Sequence, residues 1–261
     1  GNRVLIGDTL DPTKNVIVFY EYDEAQDRMN HLTDLTNTTG LTGTGFANRV
    51  AFDGKTVVTS IKTGSNQSSV LLFEYDEVTG GWSFLQRITD PLMPADGRFG
   101  TAFDIDGDFL AISSTNAPDT QSVHIYRRDS ANGEFDLISS VRDPFGGHID
   151  DGFGQEVALD NLTLFVSAPG RAIAPAGENG GRVFIFQPRD LETLDDWDEV
   201  HALSPPFTPD LQPERRSVEG KFGHAIAAQS GELVVGMPHD NVYGSGNGAA
   251  FIFRAGFDCA E

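Results

Sequence analysis

Six histidines, a run of alternating aspartates and three asparagine sequons carry the types and spacings in this chain that could do chemistry. The histidines (His31, His124, His148, His201, His224 and His239) nowhere form the His-Glu-x-x-His doublet that sets two imidazoles on one helix face for zinc. His124 falls in an apolar run and reads as packed. No Gly-x-Ser-x-Gly elbow exposes a serine nucleophile, and Gly244-Ser245-Gly246 lacks that spacing. Asp104-Ile105-Asp106-Gly107-Asp108 is the nearest approach to a calcium loop. Calcium takes roughly six to eight oxygens, more than a tight turn presents. Asp104, Asp106 and Asp108 therefore stand only as candidate calcium ligands, and no cofactor is expected. The sequons at Asn37, Asn66 and Asn161 lie in segments that read as loops or turns, where a glycan can project. Cys259 is the single cysteine, so no disulfide forms within the chain, and it reads as a free thiol or a link to a partner.

The background that carries these groups is acidic, with a net charge of −21. Nucleic acid is bound by releasing counterions onto Lys and Arg, so this surface excludes it as a partner. No apolar run reaches the roughly 20 residues needed to span a bilayer. The chain opens on Gly1-Asn2-Arg3 with no charged-then-apolar leader, which reads as a processed or truncated start.

The elements that must position the candidate groups repeat. Phe46, Phe99, Phe153 and Phe222 head four similar stretches, spaced by 53, 54 and 69 residues. Seven residues after each comes Asp53, Asp106, Asp160 or Gln229, followed by Gly54, Gly107, Asn161 or Ser230. Such pairs between apolar runs are hairpin turns, because they tolerate the positive φ a two-residue turn requires. A second strand follows, then a patch of small residues such as Ser167-Ala168-Pro169 or Gly236-Met237-Pro238. The third strand is the most apolar, as in Val70-Leu71-Leu72-Phe73 and Val183-Phe184-Ile185-Phe186, and is predicted to be buried on both faces. The fourth alternates behind Trp82, Phe135 or Trp197, as a half-exposed outer strand does. Four short antiparallel strands per repeat, with no helical periodicity, predict an all-β propeller.

The Phe-Gly pairs at Phe99-Gly100, Phe153-Gly154 and Phe222-Gly223, with the looser Ser167-Ala168-Pro169 and Gly236-Met237-Pro238, resemble the FG-GAP repeat of integrin α-subunit propellers. In register, the chain divides into blades at about 1–38 (partial), 39–90, 91–143, 144–205 and 206–261 (partial), giving three full and two partial blades in one domain. The resemblance implies a seven-bladed whole of which this chain is a segment; a five-bladed ring with irregular closure is the alternative. It also implies an extracellular or cell-surface protein whose loop face binds a partner. On that face the longest loops carry Arg171, Arg215, Arg216, His239, Asp240 and Tyr243, the candidate ligand-binding residues. The sequence reading is thus a protein- or glycan-binding or structural module that acts in adhesion or surface assembly, with further copies as a second kind of partner, and not an enzyme. Its alternative is a secreted lyase or hydrolase acting on polysaccharide, with His239, Tyr243 and Arg171 set around a central groove.

Overall fold

The computed structural model describes residues 3–8, 15–63, 68–91, 98–115, 121–146, 151–172, 180–205, 220–239 and 247–254. They form eighteen strands in five antiparallel sheets, arranged as blades of a β-propeller. Blade one holds β1 (Arg3–Asp8), β2 (Val16–Asp23) and β3 (Arg28–Leu35). Blade two holds β4 (Val50–Phe52), β5 (Thr56–Lys62), β6 (Ser68–Asp76) and β7 (Gly81–Thr89). Blade three holds β8 (Phe99–Asp106), β9 (Phe109–Ser114), β10 (Ser122–Arg128) and β11 (Phe135–Arg142). Blade four holds β12 (Val157–Asp160), β13 (Thr163–Ala168), β14 (Arg182–Pro188) and β15 (Trp197–Leu203). Blade five holds β16 (Ala225–Gln229), β17 (Glu232–Met237) and β18 (Ala249–Arg254). Three sheets thus have four strands and two have three, as the repeat phase predicts.

The phase is fixed by a bulge between the third and fourth strands of the first four blades. It falls at Phe19/Tyr20, Leu72/Phe73, Ile125/Tyr126 and Ile185/Phe186, which makes these pairs equivalent. The inner hairpins close as the turn chemistry requires, with positive φ at Gly54, Gly107, Asn161, Ser230 and Gly231.

Each seam between blades holds one apolar cluster, because a blade cannot bury its own faces. The repeated Phe residues sit in these seams. Phe46 meets Phe73, Phe153 meets Phe184 and Phe186, and Phe222 meets Phe251 and Phe253. Third strands β6, β10 and β14 are buried on both faces over most of their length, as expected. In β2 and β18 burial alternates instead, since only one neighbour covers them.

The glycine of each Phe-Gly pair has a packing reason. Gly100 lies at φ +71, and a Cβ there would stand 2.7 Å from Cγ2 of buried Val70 in the preceding blade. Small residues at the end of the second strand take up backbone N–H groups near the start of the inner strand. Ser113 Oγ accepts from Ala102 N at 2.8 Å and Ser167 Oγ from Glu156 N at 2.9 Å. Phe-Gly and the small-residue patch therefore form one seam device.

Candidate functional site

The inner strands β4, β8, β12 and β16 bring like positions of the repeat together around an axis. Two residues after the leading Phe stand Asn48, Thr101, Gln155 and His224, and Gln155 Nε2 lies 3.5 Å from His224 Nδ1. One residue further along are Arg49 and Glu156, which meet across the axis from blades two and four. Arg49 Nη1 and Nη2 donate to Glu156 Oε2 and Oε1 at 2.7 and 2.6 Å. Both side chains are half-buried, and the fork-to-carboxylate geometry fixes the guanidinium.

Two residues below that level is Asp104 of β8. Burial pushes its carboxyl up to about 6. Hydrogen bonds from Leu159 N (to Oδ2, 2.8 Å) and Ile105 N (to Oδ1, 3.0 Å) pull the other way. The charge of Asp106 adds to the rise and that of Arg49 opposes it. Asp104 faces a funnel of about 740 Å³ that opens at the inner-hairpin end. Asp53, Asp106, Asp160 and Glu232 ring it, and among the described lining residues Arg3 is the one cation. Arg3 is held by Glu21 at 3.3 Å and by both oxygens of Glu77.

The carboxylates at the hairpin end act as clamps between blades. Asp106 Oδ2 accepts from Asn161 N at 2.6 Å, and Asp160 accepts from Ser230 N at 3.1 Å and Gly231 N at 2.5 Å. The three aspartates considered for calcium thus diverge. Asp104 and Asp106 turn to separate backbone N–H groups, and Asp108 lies 3.6 Å from Arg128 Nε. Among the described residues no group of three His, Cys, Asp or Glu side chains is placed to hold a metal ion.

Arg171 lies outside the funnel lining. It bonds Asp143 and Asp151 at 3.0 and 2.6 Å and stacks on Phe145. His239 sits in the turn after β17, its backbone N donating to Gly220 O. Arg215, Arg216, Asp240, Tyr243, Asn66 and Cys259 lie outside the described residues. Asn37 is engaged locally, donating to Leu41 O at 2.8 Å and accepting from Thr39 N and Oγ1. Asn161 sits at φ +54 in the β12–β13 turn. Sequence reasoning missed Arg49, Glu156 and the buried carboxyl of Asp104. The signal was present in the phase, since Arg49 and Glu156 carry opposite charges at one repeat position where the other inner strands have Ala102 and Ala225.

The blades thus surround an axis that carries the Arg49–Glu156 pair and, in the lining of the funnel, the buried carboxyl of Asp104. Residues 12–144, 133 of the 261 positions, match the family described as lactonase, 7-bladed beta-propeller, and the chain belongs to that family. A crystal structure of a protein from Bacteroides uniformis, proposed to be a 6-phosphogluconolactonase, superposes with a TM-score of 0.57 at 12% identity, over 98% of this chain. The chain spans 65% of that protein's length. No curated protein sequence matches the chain.

The family overturns the integrin-like expectation. The matched region contains Phe99-Gly100, on which that resemblance rested in part, and the seam packing explains why a Phe-Gly pair recurs. The adhesive, structural and non-enzymatic reading falls with it, as does the extracellular or cell-surface placement, which came from the same resemblance. The polysaccharide lyase or hydrolase fits no better than a lactonase, and Arg171, one of the three residues invoked for it, is tied into an ion-pair cluster away from the funnel.

Proposed function

We propose that the protein hydrolyses a lactone in the axial funnel. One observation carries this reading: Asp104 faces the funnel with its carboxyl raised to about 6 by burial and lies within the field of a fixed Arg49. A general base works best with a pKa near the operating pH. In this reading the Asp104 carboxylate takes a proton from water as its oxygen attacks the lactone carbonyl. Arg49, outside the funnel lining and held by Glu156, favours the ionised form of Asp104 through its charge. The ring C–O bond breaks, Asp104 returns the proton to the leaving alkoxide, and the product is the open hydroxy acid. One water is consumed and no other reactant is needed.

The substrate class suggested by the Bacteroides uniformis relative is a phosphorylated sugar lactone. The test uses 6-phosphoglucono-δ-lactone and unphosphorylated glucono-δ-lactone with the untagged native polypeptide. Acid release is followed by pH-stat against the spontaneous rate. Activity is expected to rise with pH through about 6, as Asp104 loses its proton. Asp104→Asn should lower kcat by about 10²–10⁴ and remove that limb of the pH profile. Arg49→Gln removes a charge that favours the Asp104 carboxylate, so the same limb should move to higher pH. No rate above background on either lactone sinks the activity; a fully active Asp104→Asn moves it away from this carboxyl.

A further inference from the structure

The two ends of the axis differ in charge. The funnel end carries Asp53, Asp106, Asp160 and Glu232. At the other end each inner strand is entered by a four-residue turn: Gly45-Phe46-Ala47-Asn48, Arg98-Phe99-Gly100-Thr101, Gly152-Phe153-Gly154-Gln155 and Lys221-Phe222-Gly223-His224. In blades two, four and five the last turn residue donates its N–H to the carbonyl of the first at 3.0 Å. In blade three Thr101 Oγ1 donates to Arg98 O at 2.6 Å. None of the four turns contains a carboxylate, and two begin with a cation, Arg98 or Lys221. Glu156, one residue further in, is matched by Arg49. In a chain of net charge −21 these turns therefore carry an excess of positive charge.

Lys221 stands where blades two and four have glycine. That position is left-handed, at φ +88 in Gly45 and +69 in Gly152, and Lys221 adopts φ +56 there. A side chain in this region is strained, and such strain gathers where a ligand is held. The glycines show where the side chain starts. A Cβ on Gly45 would stand 3.6 Å from Asn48 Nδ2, and one on Gly152 would stand 3.2 Å from Gln155 Oε1. By the same register Lys221 sets its stem beside the His224 imidazole. Gln155 Nε2 approaches His224 Nδ1 from blade four at 3.5 Å, and with the amide as donor the ring proton sits on Nε2. Lys221 is half-buried and His224 exposed. Among the described residues neither the ammonium nor His224 Nε2 has a hydrogen-bond or ion-pair partner. Neither residue lines the funnel.

We propose that the Lys221–His224 turn binds a dianion of the phosphate class at the end of the axis opposite the funnel. Lys221 supplies the charge and His224 Nε2–H a directed donor, while Arg98 at the equivalent position of blade three adds to the field. A point charge and a separate N–H suit a tetrahedral anion with oxygens on every side. A planar carboxylate is matched better by a guanidinium fork, and the fork of Arg49 is taken by Glu156. The site does not depend on hydrolysis in the funnel. Free phosphate and a phosphomonoester share the chemistry it recognises.

The probes are inorganic phosphate and glucose 6-phosphate, which has no lactone to open. Each is titrated into the 261-residue chain at constant ionic strength, by calorimetry and by following the imidazole signals of its six histidines. The expected result is binding at a single site with a shift of the His224 signal, which His224→Gln identifies by removing it. Lys221→Gly installs the residue that blades two and four carry, so its unfolding midpoint should hold or rise while its affinity for phosphate falls about tenfold or more, the loss of one charge-assisted hydrogen bond. His224→Gln, the residue of blade four, should cost less. Equal affinity for the two probes assigns the site to free phosphate, and tighter binding of glucose 6-phosphate assigns it to a phosphomonoester. Binding that Lys221→Gly leaves unchanged, shifts confined to other histidines, or no binding of either probe overturns the proposal.

Discussion

Gly100 shows how much of the repeat is steric necessity at the scale of one residue. Its φ of +71 disfavours any side chain, and an added Cβ would lie 2.7 Å from Val70 Cγ2 and 3.5 Å from Ser60 Cβ. Val70 is fully buried in the seam. Gly107 is a control, with φ +57 and open space around its missing Cβ. Gly107→Ala should cost about 1 kcal/mol of unfolding free energy, the left-handed strain alone. Gly100→Ala adds overpacking and should cost about 2–4 kcal/mol. Urea denaturation of the two variants checks the difference; equal losses would mean that the seam yields and the close approach is not limiting. Asp104 belongs to the same scale, because the rise of its carboxyl depends on burial that no neighbouring residue in sequence announces.

At the scale of the element, the strands and their order were legible because each is written twice, once in local chemistry and once in the repeat. Asp-Gly and Asp-Asn turns, the apolar third strand and the alternating fourth all appear where the period puts them. The site was less legible. Arg49 and Glu156 are 107 positions apart and meet only because the inner strands of blades two and four face each other across the axis. The Phe-Gly pair pointed to the wrong family because it records how blades pack, which is indifferent to what the axis binds. The aspartates at position seven of the repeat suggested turns, or in Asp106 a metal ligand, yet Asp106 and Asp160 also tie each inner hairpin to the next. Asp160 accepts from both Ser230 N and Gly231 N, so Asp160→Ala leaves one exposed and one partly buried donor without their charged acceptor. A loss of about 1 kcal/mol is expected, since water reaches the freed donors. Hydrogen exchange at Ser230 and Gly231 should accelerate more than in blade two, and uniform acceleration across all blades would contradict a local clamp.

The whole molecule sets the field in which the site works. The net charge is −21, and Asp53, Asp104, Asp106, Asp160 and Glu232 face the funnel against Arg3, whose charge is already met by Glu21 and Glu77. A concave wall of one sign concentrates the potential, which here repels an anion on approach. A phosphorylated lactone carries about two negative charges near neutrality and a plain sugar lactone none. Salt screens this repulsion, with a Debye length that falls from about 30 Å at 0.01 M to about 10 Å at 0.1 M. Over that range kcat/KM for 6-phosphoglucono-δ-lactone should rise several-fold while that for glucono-δ-lactone stays flat. The comparison separates field from fit, because the two substrates share the ring that reacts. A fall in kcat/KM for the phosphorylated lactone as salt rises would mean that cationic side chains beyond the acidic funnel gather the phosphate, and the substrate's entry would then be sought on the end of the axis that carries Arg49 and His224.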